Sequence, residues 1–220
     1  MQVISVLNQK GGVGKTTIAT HLAMAYHLRG NTVALVDSDP QGSARDWAAQ
    51  NQGLQLEVLA IDRPTHSRDL RAFAHYDYVV IDGAPQVHAL AQSAIAASTF
   101  VLIPVSPSPY DYWATTTLVE LVKSRIEIEG PQALSAAFVI TRTLRNTKLA
   151  KAIREPLDEL GLHILNTQIV NRVAYPTSAT TGHTVLDQDP NGEAAVEFRK
   201  LVAEIEELLP KLPKPNQNPR

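Results

Sequence analysis

Cysteine is absent from the 220 residues. That removes disulfide frameworks, cysteine zinc sites, thiol nucleophiles and cysteine-ligated iron–sulfur clusters. A large excess of one charge is missing too, since 20 basic and 22 acidic residues leave a formal net charge of −2. This near-neutral total excludes a bulk polycation and still permits a local basic patch. No stretch approaches the roughly 20 apolar residues that cross a bilayer. Met1 to Asn8 has no basic leader region, and its apolar run is too short for a secretion signal. What is present suits a globular fold: 44% of residues are hydrophobic and 19% charged, in a chain long enough to bury a core without covalent or metal staples. A soluble cytoplasmic protein is the expectation.

Short apolar runs alternate with longer amphipathic stretches. Val3 to Leu7, Thr32 to Val36, Leu56 to Ile61, Tyr78 to Ile81, Phe100 to Val105 and Ala136 to Thr141 are rich in Val, Ile and Leu without polar alternation, as in strands covered on both faces. Between them, Gly14 to Arg29 carries a helical stripe of Ile18, Leu22, Ala25 and Leu28 closed by Gly30. Trp113 to Ile128 does the same before Gly130-Pro131. The alternation predicts an α/β fold with a doubly wound, mostly parallel sheet and helices on both faces. One domain is expected over residues 1–209. Residues 210–220 hold Pro210, Pro213, Pro215 and Pro219, so a disordered tail is expected there.

The most informative segment follows the first strand: Lys10-Gly11-Gly12-Val13-Gly14-Lys15-Thr16-Thr17. Its glycines let several N–H groups converge on one anion, and the next helix adds its positive end. Lys15 is placed for β- and γ-phosphates, and the Thr16 hydroxyl for Mg²⁺. The general P-loop pattern has a glycine where Gln9 stands, and Lys10 is an additional lysine. A P-loop also needs a carboxylate at the end of a neighbouring buried strand, and Tyr78 to Ile81 ends in Asp82, followed by Gly83-Ala84-Pro85. The second strand ends in Asp37-Ser38-Asp39-Pro40-Gln41. Extended backbone turns Asp37 and Asp39 the same way, toward the phosphates; an Asp before Pro is alternatively just a turn and helix cap. No Asn-Lys-x-Asp guanine signature occurs. Rigid Pro104 to Pro109 would present carbonyls to an adenine edge, with Pro104 and Pro107 as its candidates, and Arg142 would stack on the other face; either segment is alternatively a plain connection.

The deviant loop with Lys10 resembles the ParA/MinD family of dimeric ATPases. The resemblance implies that Lys10 crosses a dimer interface to the partner's phosphates. It also implies that Asp82 is the Walker B aspartate, that Asp39 orients the attacking water, and that Asp37 lies in the Mg²⁺ and γ-phosphate region. Thr141 to Arg154 holds five basic residues and no acidic one: Arg142, Arg145, Lys148, Lys151 and Arg154. Such a run neutralises DNA phosphates without reading bases, or is simply a solvated helix face. ParA-type relatives bind DNA through basic residues of their C-terminal part, which adds Arg172 and, more weakly, Arg199 and Lys200.

The resemblance spans residues 1–209 and implies ATP and Mg²⁺ as cofactors. It implies an ATP-bound homodimer on non-specific nucleoid DNA, slow hydrolysis stimulated by a centromere-binding or cargo-adaptor protein, and segregation of cargo such as plasmid or chromosome partition complexes. The loop starts nine residues into the chain, so no helix-turn-helix domain is expected ahead of it. The acidic run Glu204 to Leu209 argues against a MinD-type basic membrane anchor, so no membrane partner is expected. Lack of cysteine argues against a nitrogenase iron protein. The alternatives are a dethiobiotin-synthetase-like metabolic enzyme and a MinD-like membrane regulator.

Overall fold

Branched aliphatic runs form the strands, and the amphipathic stretches between them return the chain across the sheet. The computed structural model describes residues 1–85, 88–144 and 152–210. The strands are β1 (Gln2–Val6), β2 (Val33–Asp37), β3 (Glu57–Ala60), β4 (Tyr78–Asp82), β5 (Phe100–Val105), β6 (Ser135–Thr143), β7 (His163–Ile164) and β8 (Ile169–Val170). The helices are α1 (Lys15–His27), α2 (Ser43–Ala49), α3 (His66–Asp69), α4 (His88–Ala97), α5 (Pro109–Glu129), α6 (Arg154–Glu159), α7 (Ala174–Ala179), α8 (Val185–Gln188) and α9 (Glu193–Leu208). A 3₁₀ turn, Leu70–Phe73, follows α3.

Every strand pair is parallel, in the order β3-β2-β4-β1-β5-β6-β7, with β8 on β6. The expected doubly wound α/β architecture is therefore present. Alternation along each strand feeds two cores. On one face Ile4, Val6, Leu35, Val80 and Leu102 pack with Ile18, Leu22 and Tyr26 of α1 and with Phe198, Leu201 and Ile205 of α9. On the other, Val3, Val36, Val79, Ile81 and Ile103 pack with Ile95 of α4 and with Leu118 and Val122 of α5.

Several boundaries differ from expectation by a few residues. β2 and β4 each run one residue further and so contain Asp37 and Asp82, which are paired in register. α5 begins at Pro109, where proline's missing N–H costs nothing at a first helical position. β7 and β8 have two residues each, too few to show a period. At the far end, the Pro210 carbonyl accepts a 2.8 Å bond from Gln2 Nε2; the rest of the expected tail, 211–220, lies outside the described residues. So do Arg145, Lys148 and Lys151. Among the described residues no helix is long and apolar enough to cross a membrane.

Candidate nucleotide site

The strands point their carboxyl ends at one rim, and β1 lies where the strand order reverses, the usual place for a ligand in an open α/β sheet. The Lys10–Thr17 loop leaves β1 there. Gly12 and Gly14 have φ of 78° and 94°, values that a side chain would strain. Gly14 is the N-cap of α1 and supplies no capping side chain, and the first turn has no acidic residue. The orphan N–H groups of that turn are thus left for an anion. Lys15 is only 7% exposed and donates a 3.0 Å bond from Nζ to the Lys10 carbonyl. Burial pulls its ammonium below the usual range, while the charges of Asp82 and Asp39 oppose that shift. Lys10 itself is exposed. Asn8, which the sequence reading missed, fixes the loop's start: its Nδ2 donates to the Pro104 carbonyl (2.7 Å) and its Oδ1 accepts the Lys10 amide (2.9 Å).

Asp82 closes β4 beneath this loop. It is 1% exposed, and neither carboxylate oxygen meets a donor in good hydrogen-bond geometry. Burial lifts its pKa to about 7; the Thr16 hydroxyl and the Lys15 charge work against that rise, while Asp37 and Asp39 add to it. An orphaned buried carboxylate beside a threonine hydroxyl and a lysine fits a divalent cation. A donor set of one carboxylate and one hydroxyl suits Mg²⁺, an ion that keeps waters and shares phosphates. Thr16 and Asp82 would hold it and the bound phosphates would complete its shell. Gly83 then brings the chain against β1: its N–H donates to the Val6 carbonyl at 3.1 Å, and a Cβ there would stand 2.4 Å from Leu7 Cδ2.

Asp37, expected in the Mg²⁺ and γ-phosphate region, has both carboxylate oxygens engaged by the protein. Its Oδ1 accepts the Asp39 amide (3.0 Å), and its Oδ2 accepts the amides of Ala44 (3.1 Å) and Arg45 (3.0 Å) and pairs with Arg45 Nε (3.4 Å). It is a fully buried anchor for the start of α2, whose own N-cap, Gly42, has no side chain to offer. Asp39 is half-buried. Its Oδ1 accepts the Gln41 amide at 2.9 Å, an Asx-type turn, and its charge acts on Lys15 and Asp82.

Beside the loop lies a cavity of about 200 Å³ lined by Val13, Thr17, Ile18, Arg142, Arg172 and Tyr175, among others. Its walls are mostly apolar. Arg142 belongs to it: held at φ 53°, it brings Nη1 within 3.9 Å of where a Cβ on Gly12 would be. Pro104 and Pro107 do not. Pro104 is inside β5 with its carbonyl taken by Asn8, and Pro107 lines a separate apolar cavity with Tyr112 and Ile153.

Arg172, expected on a DNA surface, pairs with Glu193 (2.7 Å) and Glu197 (3.2 Å). Glu197 also accepts from the Val170 amide (3.1 Å) and the Tyr175 hydroxyl (3.0 Å). Arg154 donates to the carbonyls of Leu165 and Ile164, and Arg199 to that of Pro190. Lys200 is exposed beside Glu193 and Glu197.

Residues 4–185 match the CobQ/CobB/MinD/ParA nucleotide binding domain. The chain belongs to that family. Within the CobQ/CobB/MinD/ParA family it is 33% identical over 208 residues to the maintenance of carboxysome distribution protein A of Halothiobacillus neapolitanus, covering 92% of this chain and 95% of that one. The chromosome-partitioning ATPase Soj of Thermus thermophilus is 28% identical over 237 residues, covering 92% and 94%. The fold superimposes on the MinD cell division protein of Aquifex aeolicus with a TM-score of 0.76 at 18% identity, covering 98% and 99% of the two chains. An ATP complex of Cyanothece McdA superimposes with a TM-score of 0.73 at 18% identity, covering 97% and 99%. The chain is thus a ParA/MinD-type ATPase domain, as its loop sequence implied.

Proposed function

We propose that this chain is a small ParA-type positioning ATPase that cycles between an ATP-bound dimer on DNA and a released form. The reading rests chiefly on the pairing of two lysines in one loop. Lys15 is buried and tied to the Lys10 carbonyl, while the Lys10 side chain stands exposed at the rim. A lone metabolic active site has no need of a second cation aimed outward. Cobyrinic acid a,c-diamide synthase of Mycobacterium smegmatis shares the fold with a TM-score of 0.75, so the fold alone does not select this reading.

In the proposed cycle the loop amides and Lys15 hold the ATP phosphates. Mg²⁺ bound by Thr16 and Asp82 neutralises phosphate charge, and Asp39 orients water for slow hydrolysis. The base sits in the Arg142–Tyr175 pocket. Arg145, Lys148 and Lys151 give the DNA-binding charge, doubled by dimerisation, with Arg154 and Arg172 as further candidates. The cargo is a large assembly carried over nucleoid DNA through an adaptor protein that stimulates hydrolysis; relatives are named for carboxysome distribution and for chromosome partitioning.

DNA retention of the purified protein with no nucleotide, ADP or ATP, across a salt series, tests the reading. Retention is expected only with ATP and is expected to fall steeply with salt. Lys15→Ala abolishes it, and replacing Arg145, Lys148 and Lys151 by Glu weakens it and flattens the salt dependence. Retention that ignores the nucleotide overturns the cycle.

A further inference from the structure

His66 is fully buried, lies outside every motif of the nucleotide site, and touches two of the elements that carry it. Its Nε2 lies 2.7 Å from the Ser38 Oγ, and its Nδ1 lies 3.0 Å from the Ser93 Oγ. Its own amide donates to the same Ser93 oxygen at 3.1 Å. Ser38 separates Asp37 from Asp39, and its amide donates to the Asp82 carbonyl at 2.9 Å. Ser93 is on α4, the helix that follows the exit of Asp82's strand. The ring therefore bridges the segment after β2 to the helix after β4.

From this geometry we infer that His66 is a positioning residue for ATP hydrolysis: by holding the Ser38 hydroxyl it fixes the Asp37–Asp39 segment, and hence the Asp39 carboxylate, relative to α4. The inference rests on the proposed role of Asp39. Ser38 lies between the two aspartates, so what its hydroxyl grips constrains how its neighbours' side chains are placed. Burial holds the imidazole neutral, with a pKa near 4, so one ring nitrogen donates and the other accepts, and the relay has a direction. Displacing a reacting carboxylate by about 1 Å costs up to about a hundredfold in rate while leaving phosphate binding alone.

The test is steady-state phosphate release by the full chain with Mg²⁺–ATP, alongside direct ATP affinity. His66→Ala is expected to lower kcat about tenfold with KM within about twofold, the mark of an interaction that acts on the reaction and not on binding. His66→Gln, whose amide reaches the Nε2 position and so Ser38, restores most of kcat. His66→Asn, which reaches only the Nδ1 position and Ser93, does not. Ser38→Ala keeps the ring in place and lowers kcat to the level of His66→Ala. The double variant is no worse than either single one, since both break one contact.

Gln and Asn variants equal to each other, a kcat unchanged in His66→Ala or Ser38→Ala, or losses that multiply in the double variant would overturn the inference. Asp39→Ala is the control that separates it from the reading beneath it. If Asp39→Ala hydrolyses ATP normally, the proposed role of Asp39 fails and His66 falls with it. If Asp39→Ala is inactive while His66→Ala turns over normally, His66 alone is dismissed.

Discussion

Asp82 and Asp37 end neighbouring strands in register, yet only Asp82 is left with bare oxygens. Asp37 spends its carboxylate on three amides and Arg45, so its negative charge is already solvated by protein. Asp82 has no such shell and holds its proton up to a pH of about 7, where an unfolded aspartate would have lost it near 3.8. Between those two values the folded state binds more protons than the unfolded chain, so this group's contribution falls as pH rises from about 4 to 7. The ceiling is about 4 kcal/mol over that window. The expected outcome in a chelator is that Asp82→Asn melts higher than the parent at pH 8 and that the gap narrows steadily as pH falls, closing only near pH 4. The difference between the two proteins isolates Asp82, because buried His21 and His66 titrate alike in both. Mg²⁺–ATP then stabilises the parent at pH 8 and does so weakly or not at all for Asp82→Asn. A pH-independent gap in thermal scans would assign the orphaned oxygens no charge role.

The phosphate side of the site was legible because each part of it is local: a glycine loop leaving an apolar strand, and carboxylates at the ends of two others. The cavity beside it was not. It joins the first turns of α1, the end of β6 and the β8–α7 segment, parts separated by more than 150 positions. Pro104, expected beside a base, lies inside β5. Arg172, expected on DNA, pairs with Glu193 and Glu197, acids on α9 that short-range sequence reading does not bring to it. Those acids have a definite mechanical role. Glu197 gathers the Val170 amide, the Arg172 guanidinium and the Tyr175 hydroxyl, while Tyr175 packs edge-on to His21 at 5.2 Å. His21 Nε2 accepts the Val185 amide at 3.1 Å, which leaves Nδ1 to donate to the Thr17 carbonyl at 2.7 Å. The final helix thereby shapes the pocket against the phosphate helix. Glu197→Ala strands three donors at a cost of about 1–3 kcal/mol. It is expected to weaken ATP binding several-fold, with kcat within about twofold, in titrations with a fluorescent ATP analogue and in steady-state assays. Unchanged affinity would detach this segment from the base.

The net charge of −2 conceals how the whole molecule distributes its cations. Lys15 is buried with Asp82 and Asp39, while Lys10 shares its loop and faces outward. An exposed lysine beside an anion-binding loop gains little from its own chain, because water already solvates it. It gains far more when a second copy closes over the rim and excludes water, since charge–phosphate attraction strengthens as the local dielectric falls. The two lysines are therefore separable. Lys15→Ala is expected to lose nucleotide and assembly together. Lys10→Ala is expected to keep ATP affinity within about threefold, because the bond that anchors Lys15 comes from the backbone carbonyl and survives the substitution. It is expected to sediment as a monomer at ATP concentrations that make the parent a dimer. ATP-dependent dimers in Lys10→Ala would show that pairing does not pass through this lysine. Loss of ATP binding by the monomer would return Lys10 to an ordinary role within its own loop.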